Sequence, residues 1–297
     1  MLGMKQYFSL ILVLVIPHVA FALGPHEVLV LANKESPDSI HVAEQFMEFR
    51  HVPEVNFVQL SIPLSGETVP EQMSREEFTK LIWEPANKAM RERGIDDHIL
   101  AWIYSVDFPT KITVDPWIAT LSVQGLTFLR NNFPPLNVVS NGAYVSPLFA
   151  GPAAAGARPF DSQTFDLFKD WLGDDMPVPS MMLGHTGKRG NKVETIIKCL
   201  KTGLEADGTA PSGTVFFVTS SDIRSTARQW EYLPAIKELA AMGVNAVITE
   251  DFPSHQPEVI GIMMGTDVVN PNQKNRYLPG CMAEHLTSAA GIFEDDN

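Results

Sequence analysis

Short apolar runs recur along this chain, and most are followed by a stretch whose apolar residues fall three and four apart. No other feature constrains the fold as much. A short run rich in β-branched and aromatic residues suits a strand, and a period near 3.6 suits a helix with one buried face. Strands that alternate with long helices are not joined by tight hairpins; they form a parallel sheet with helices packed on both sides. The expected fold is therefore a three-layer α/β protein with a mainly parallel sheet.

The first strand is expected at Glu27 to Ala32. Ser36 then offers an N-cap and Pro37 a first helical residue, with Ile40, Ala43, Phe46 and Met47 as the apolar stripe. His51-Val52-Pro53 ends this helix, and a second strand follows at about Asn56 to Ile62. Ser74 with Glu77 forms a capping box before Phe78, Leu81, Ile82, Ala86, Ala89 and Met90. Pro85 should kink that helix and Gly94 should stop it. Ile99 to Tyr104 is apolar on both faces, as a central parallel strand is. From about residue 105 to 179 the chain turns rich in Pro, Gly and Ala and suggests an irregular excursion, with helices near Trp117 to Arg130 and Ser162 to Leu172.

A second series then begins. It has a strand at Met181 to Leu183, a helix opened by Asn191 with Glu194, and a strand at Thr214 to Thr219. One helix from about Ile223 to Met242, stopped by Gly243, leads to a strand at Asn245 to Thr249. Glu284 to Gly291 has the pattern of a helix start, so the chain, ending at Asn297, has the look of one truncated at its C-terminus. No internal sequence repeat of 20–50 residues is visible.

The first 22 residues have the pattern of an export signal. Lys5 is their only charge, Phe8 to Ile16 is apolar apart from Ser9, and Pro17 precedes a small-residue cleavage site at Ala20-Phe21-Ala22. The apolar run is far shorter than the roughly 20 residues a spanning helix needs. Cleavage near Ala22 leaves residues 23–297, expected as a single α/β domain in the periplasm or outside the cell, with no membrane association. The formal charge of −13, from 22 basic and 35 acidic residues, repels phosphate backbones and argues against nucleic acid as a partner. Cys199 and Cys281 are the only cysteines. Export permits a disulfide between them, and a pair of buried thiols is the alternative.

No CxxC pair, HExxH, GxSxG or GxxxxGK[ST] occurs. Gly151 and Gly156 have the spacing of a phosphate loop, but Ala157 and Arg158 follow them. The first strand-to-helix turn has no GxGxxG, so no nucleotide cofactor is expected, and no metal site is suggested. Parallel sheets bind ligands beyond the carboxyl ends of their strands. Three strand exits carry polar residues there: Asn33 and Ser36, Asp107 and Lys111, and Asp222 and Arg224. His285 joins them from Glu284-His285-Leu286-Thr287-Ser288. These loops are expected to line one cleft for a small polar or ionic ligand. Asp107 and His285 are the candidates for catalysis, and Asn33, Ser36, Lys111, Asp222 and Arg224 for ligand binding. Each has a plainer alternative. Asn33 and Ser36 suit helix capping, Asp107 with Lys111 suits a surface ion pair, and His285 suits a structural role. His185 and Cys281 stand in the order of a thiol dyad, base before nucleophile. Two functions fit: an exported hydrolase-like enzyme, and a non-catalytic envelope binding protein that uses the same cleft.

Several segments together resemble an uncharacterised exported bacterial family. They are Ser36-Pro37-Asp38-Ser39, Arg50-His51-Val52-Pro53, Phe108-Pro109-Thr110-Lys111-Ile112 and His285-Leu286-Thr287-Ser288. That family has a p-x-S start to its first helix, an R-x-I/V-P exit, a G-V-P-L-R-I turn after a strand and a late H-L-T-S. Here Asp107 stands where the family has Gly and Lys111 where it has Arg, and Gly184-His185-Thr186-Gly187 replaces an R-L-D-G-like segment. The resemblance implies export and more chain after the last motif, but it brings no assigned activity.

Overall fold

The computed structural model describes residues 23–66, 69–114, 120–129, 137–138, 141, 178–186, 190–266, 269 and 274–286. The signal segment and the expected helix at Ser162 to Leu172 lie outside them. Strand β1 (Val28–Asn33) leads into helix α1 (Pro37–Arg50), where Ser36 accepts from the Ser39 N–H as N-cap. β2 (Phe57–Leu60) and β3 (Gln72–Ser74) follow. The Ser74–Glu77 capping box opens α2 (Arg75–Phe78), and a π turn at Thr79–Trp83 joins it to α3 (Glu84–Arg93). The disturbance expected of Pro85 takes the form of this widened turn. Proline has no N–H for the carbonyl of Leu81 and its ring crowds it, and a π turn just upstream absorbs the mismatch.

The chain continues through β4 (Ala101–Tyr104), β5 (Lys111–Thr113), β6 (Leu121–Ser122) and α4 (Val123–Leu129). Then come β7 (Ser180–Met182), α5 (Val193–Ala206), β8 (Thr214–Val218) and α6 (Ile223–Thr226). α7 (Tyr232–Ala241), β9 (Asn245–Thr249), β10 (Val259–Gly265) and β11 (Tyr277–Leu286) complete the described elements.

The architecture is three-layer α/β with mainly parallel pairing. The strands divide between two large sheets, however, where the sequence suggested one. The order is β2-β1-β4-β7 in the first and β11-β10-β8-β9 in the second, parallel throughout. Counted by its own strands in chain order, each large sheet runs 2-1-3-4. The described part of the expected excursion is more regular than its composition implied: β5 and β6 join β3 in a small mixed sheet.

Period-two alternation assigns the faces of the first sheet. Leu29, Leu31, Trp102 and Tyr104 pack against Phe78, Ile82, Ala86 and Met90 of the α2–α3 helix. Val30, Ala32 and Ile103 pack against Ala43, Phe46 and Met47 of α1 on the other side. α5 lies on α1, with Ile196 meeting Val42 and Val106. Its far end touches the second sheet, where a Cβ at Gly280 would overlap that of Ala206.

Both large sheets fasten their first strand exit in the same way. The backbone N–H of Asn33 donates to the buried Ser39 hydroxyl, and that of Ser220 to the buried Ser225 hydroxyl, each at 2.9 Å. Each serine is the third residue of the following helix. Ser39 Oγ then donates 2.7 Å to the Val106 carbonyl beyond β4, tying together the exits of two neighbouring strands. Ser39→Ala leaves a buried donor and a buried acceptor unmet, so it should cost about 1–3 kcal/mol in urea unfolding. A loss below about 0.5 kcal/mol would show that water replaces the hydroxyl.

Two expected helices are corrected. The helix foreseen from Ile223 to Met242 breaks into α6, a 3-10 turn at Gln229–Glu231, and α7. Pro234 explains this: within a continuous helix its ring would strike the carbonyl of Trp230, whereas in the first turn of α7 it is tolerated. The helix foreseen from Glu284 is, through Leu286, the end of β11, which pairs with β10 from Val259 to Gly265. A ready parallel neighbour outweighs local helix preference there.

Candidate functional site

In the first sheet the chain reverses its direction of growth between β1 and β4, since β2 lies on one side of β1 and β4 on the other. Such a switch point opens a crevice at the carboxyl ends of the two strands. Ser36 and Asp107 meet there. Ser36 Oγ donates to Asp107 Oδ2 at 2.5 Å and accepts from the Ser39 N–H at 3.1 Å. Thr186, beyond β7, donates its hydroxyl to Asp107 Oδ1. Three strand exits thus converge on one half-buried carboxylate. The backbone of Asp107 is left-handed, with φ of 59°. A non-glycine residue rarely adopts this conformation, and Asp is among the few that tolerate it.

His185 stands beside this carboxylate. Burial holds its imidazole below the ordinary histidine value, and the charge of Asp107 pulls it partly back. Thr186 also lines a cleft of about 550 Å³, together with Asp38 and His41 of α1 and with Asn191, Lys192 and Glu194 at the start of α5; Ser36, Asp107 and His185 stand behind Thr186 and do not line it. The N-cap of α5 is Lys192, with no side-chain cap, and not Asn191 as its sequence suggested. The Asn191 N–H instead donates 2.6 Å to the His185 carbonyl, which fixes the turn carrying His185 and Thr186 against the helix start.

The other sequence candidates fall elsewhere. Asn33 is fully buried and serves the turn: its amide donates 3.1 Å to the Ile62 carbonyl, and its oxygen accepts from Ile62 and Glu35 N–H groups. Lys111 lies in β5 of the small sheet, where its N–H donates to the Glu71 carbonyl. Asp222 and Arg224 belong to the exit of β8 in the second sheet. Asp222 caps α6 through the Arg224 N–H at 2.8 Å and binds the guanidinium at 3.0 Å. His285, in β11, donates from Nε2 to the Thr266 carbonyl at 2.8 Å, since that carbonyl can only accept. Of the first two loops, Ser36 and Asp107 therefore meet and Asn33 and Lys111 do not join them, while the third loop and His285 sit at the corresponding end of the second sheet.

The dyad of His185 with Cys281 does not form. Cys281 lies in β11, its thiol directed to the Met282 carbonyl and packed near Phe216, Val218 and Ile262, and burial pushes its pKa up. Both cysteines are free thiols. Aryl disulfide titration of the native chain should release two thiols, Cys199 fast from the surface of α5 and Cys281 slowly, since the thiolate reacts. One thiol or none would instead reveal a bridge.

Asp38, His41 and Lys192 escaped the sequence reading. The available signal was the spacing of Asp38 and His41, three apart on the polar side of α1. No family model, no curated protein and no solved structure matches this chain. Among the described residues, no helix is long and apolar enough to cross a membrane.

Proposed function

We propose that this is an exported, hydrolase-like protein acting on a small polar ligand in the cleft beside Thr186, between α1 and the start of α5. The reading is carried by the convergence of Ser36, Thr186 and His185 on Asp107 at the carboxyl ends of three parallel strands. A histidine held below its ordinary value is neutral at pH 7 and able to take a proton from water. Asp107, fixed by two hydroxyl donors, stabilises the imidazolium that results. The activated water adds to the electrophilic centre of the ligand, and the leaving group departs with the proton. Asp38, His41, Asn191, Lys192 and Glu194 offer both donors and acceptors to a polar substrate.

The left-handed backbone at Asp107 also supports kinship with the exported family described above, because glycine, its residue there, adopts that conformation freely. One observation favours the second reading, a non-catalytic envelope binding protein. The Ser36 proton is engaged by Asp107, so that hydroxyl is not poised as a nucleophile.

The test is a panel of esters, phosphoesters and glycosides, with binding followed in parallel. For any substrate found, His185→Gln should lower kcat/KM by about 10²–10⁴-fold. The rate should rise with pH through a value below 6.5, as the ring becomes neutral. Stability follows the same sign: the folded pKa is depressed, so the contribution of His185 is full above its unfolded value and is lost as pH falls through the folded one. Turnover unchanged in His185→Gln would sink the mechanism. Binding without turnover, weakened by Asp107→Asn, would establish the binding protein.

A further inference from the structure

A second cavity lies toward the amino ends of the first sheet's strands, away from Asp107 and from the cleft beside Thr186. It measures about 600 Å³ and opens between the last turns of α1 and α5. Val28, Phe46, Phe49, Met181, Leu200 and Leu204 form its walls. These side chains are not closed off as a core would be: Met181 is 50% exposed, and the other five are half-buried. A cavity of this size and lining is typical of sites that enclose a small apolar ligand.

The mouth carries one cation whose bonding is incomplete. Arg50, the last residue of α1, reaches Asp207 through Nη1, its one partner among the described residues. Asp207 is the C-cap of α5, where the negative end of the helix dipole disfavours a carboxylate. Both side chains are exposed, and a pair of that kind contributes little to stability. The remaining N–H groups of the guanidinium therefore suit a second carboxylate, brought by a ligand whose apolar part fills the cavity.

We propose that this cavity binds one long-chain fatty carboxylate, with its hydrocarbon chain between α1 and α5 and its head group on Arg50. The remaining N–H donors of Arg50 select the carboxylate head, and apolar walls select the chain, whose every buried methylene adds affinity. A single cavity suits one chain and not the two of a diacyl phospholipid.

Two variants separate the contributions. Gly203 lines the cavity, and a Cβ there would meet only Arg50 Nη2, at 3.6 Å, so the first carbon of Gly203→Leu enters in ordinary contact and the rest of the side chain takes up cavity space. Leucine also favours a helix interior more than glycine does. The experiment follows a fluorescent fatty carboxylate, displaced by oleate, on the purified exported chain below the micellar concentration. Saturable binding is expected, weakened at least tenfold by Gly203→Leu. Arg50→Gln should weaken oleate about tenfold and leave oleyl alcohol unchanged. Oleate should also slow alkylation of Cys199, which lines the same cavity. Both variants should melt as the parent does without ligand.

The proposal is overturned by the absence of saturable binding, or by binding indifferent to Gly203→Leu. It is equally overturned by binding to phosphatidylglycerol vesicles alone, which would name a membrane surface. Self-association abolished by Gly203→Leu, with no uptake of oleate, would give the cavity to a second copy of the chain.

Discussion

Trp102→Ala should destabilise the protein by about 3–5 kcal/mol, the usual cost of deleting a buried indole. Trp102 is 1% exposed, in the second position of β4. Its ring lies 4.9 Å from that of Trp83 and 6.4 Å from that of Tyr104, which in turn meets Phe108 at 5.0 Å. These aromatics fill the space between the first sheet and the α2–α3 helix, so no single neighbour can move in to close the gap. A loss of this size is a large share of the roughly 5–15 kcal/mol that keeps a domain folded. The effect should reach the site, because β4 delivers Asp107 three residues beyond Tyr104. Urea unfolding checks the first part, and ligand affinity or turnover at low temperature checks the second. Trp102→Phe keeps much of the volume and should lose far less. A cost below about 1 kcal/mol for alanine would mean that this side of the sheet is not a close-packed core.

Gly190→Ala should damage the cleft more than the fold. A Cβ at this position would overlap the carbonyl oxygen of His185 and the carbonyl carbon of Thr186. Both obstacles are backbone, so neither can rotate away. Gly190 immediately precedes Asn191, whose N–H holds the His185 carbonyl at 2.6 Å. Relief must therefore come by moving the 185–186 turn, which carries Thr186 off the Asp107 carboxylate and shifts His185 with it. Overpacking of this kind costs about 1–3 kcal/mol. In a domain of this size that lowers Tm by about 2–4 °C per kcal/mol. Ligand affinity or kcat/KM should fall at least tenfold, since about 1 Å of misplacement in a site is enough to lose far more. Parent-like function with a lowered Tm would show that the turn does not belong to the site.

The paired effects of these two variants also bear on how the site is built. Trp102 acts through the sheet and Gly190 through a loop seated on a helix start, yet both converge on Asp107. A site assembled from three strand exits depends on the packing beneath it as much as on its own side chains.

Local chemistry, written in the sequence, determined several of the elements and their caps. Ser36 as N-cap, the Ser74–Glu77 box and the stop at Gly94 each depend on residues within a turn of one another, and each stands as its pattern implies. The apolar run around Trp102 likewise announced a strand buried on both faces. Pairing partners are a different matter. Nothing local in Thr214–Val218 distinguishes a fifth strand of the first sheet from the first strand of another, because either choice buries the same side chains. That decision belongs to long-range contacts, and it removed Asp222, Arg224 and His285 from the cleft. The segment at Glu284 shows the same effect: its helix-like spacing gave way once β10 offered an edge to pair with. His185 gained its place beside Asp107 in the same manner. The two are 78 positions apart, and only the adjacency of β4 and β7 brings their exits together. Sequence thus determined the segments whose signals are strong and local, such as α1, α2–α3 and β4, while at Glu284 the tertiary setting overrode it. The tertiary structure alone decided which strand exits meet, because that depends on the order of strands in a sheet, which no short stretch of residues encodes.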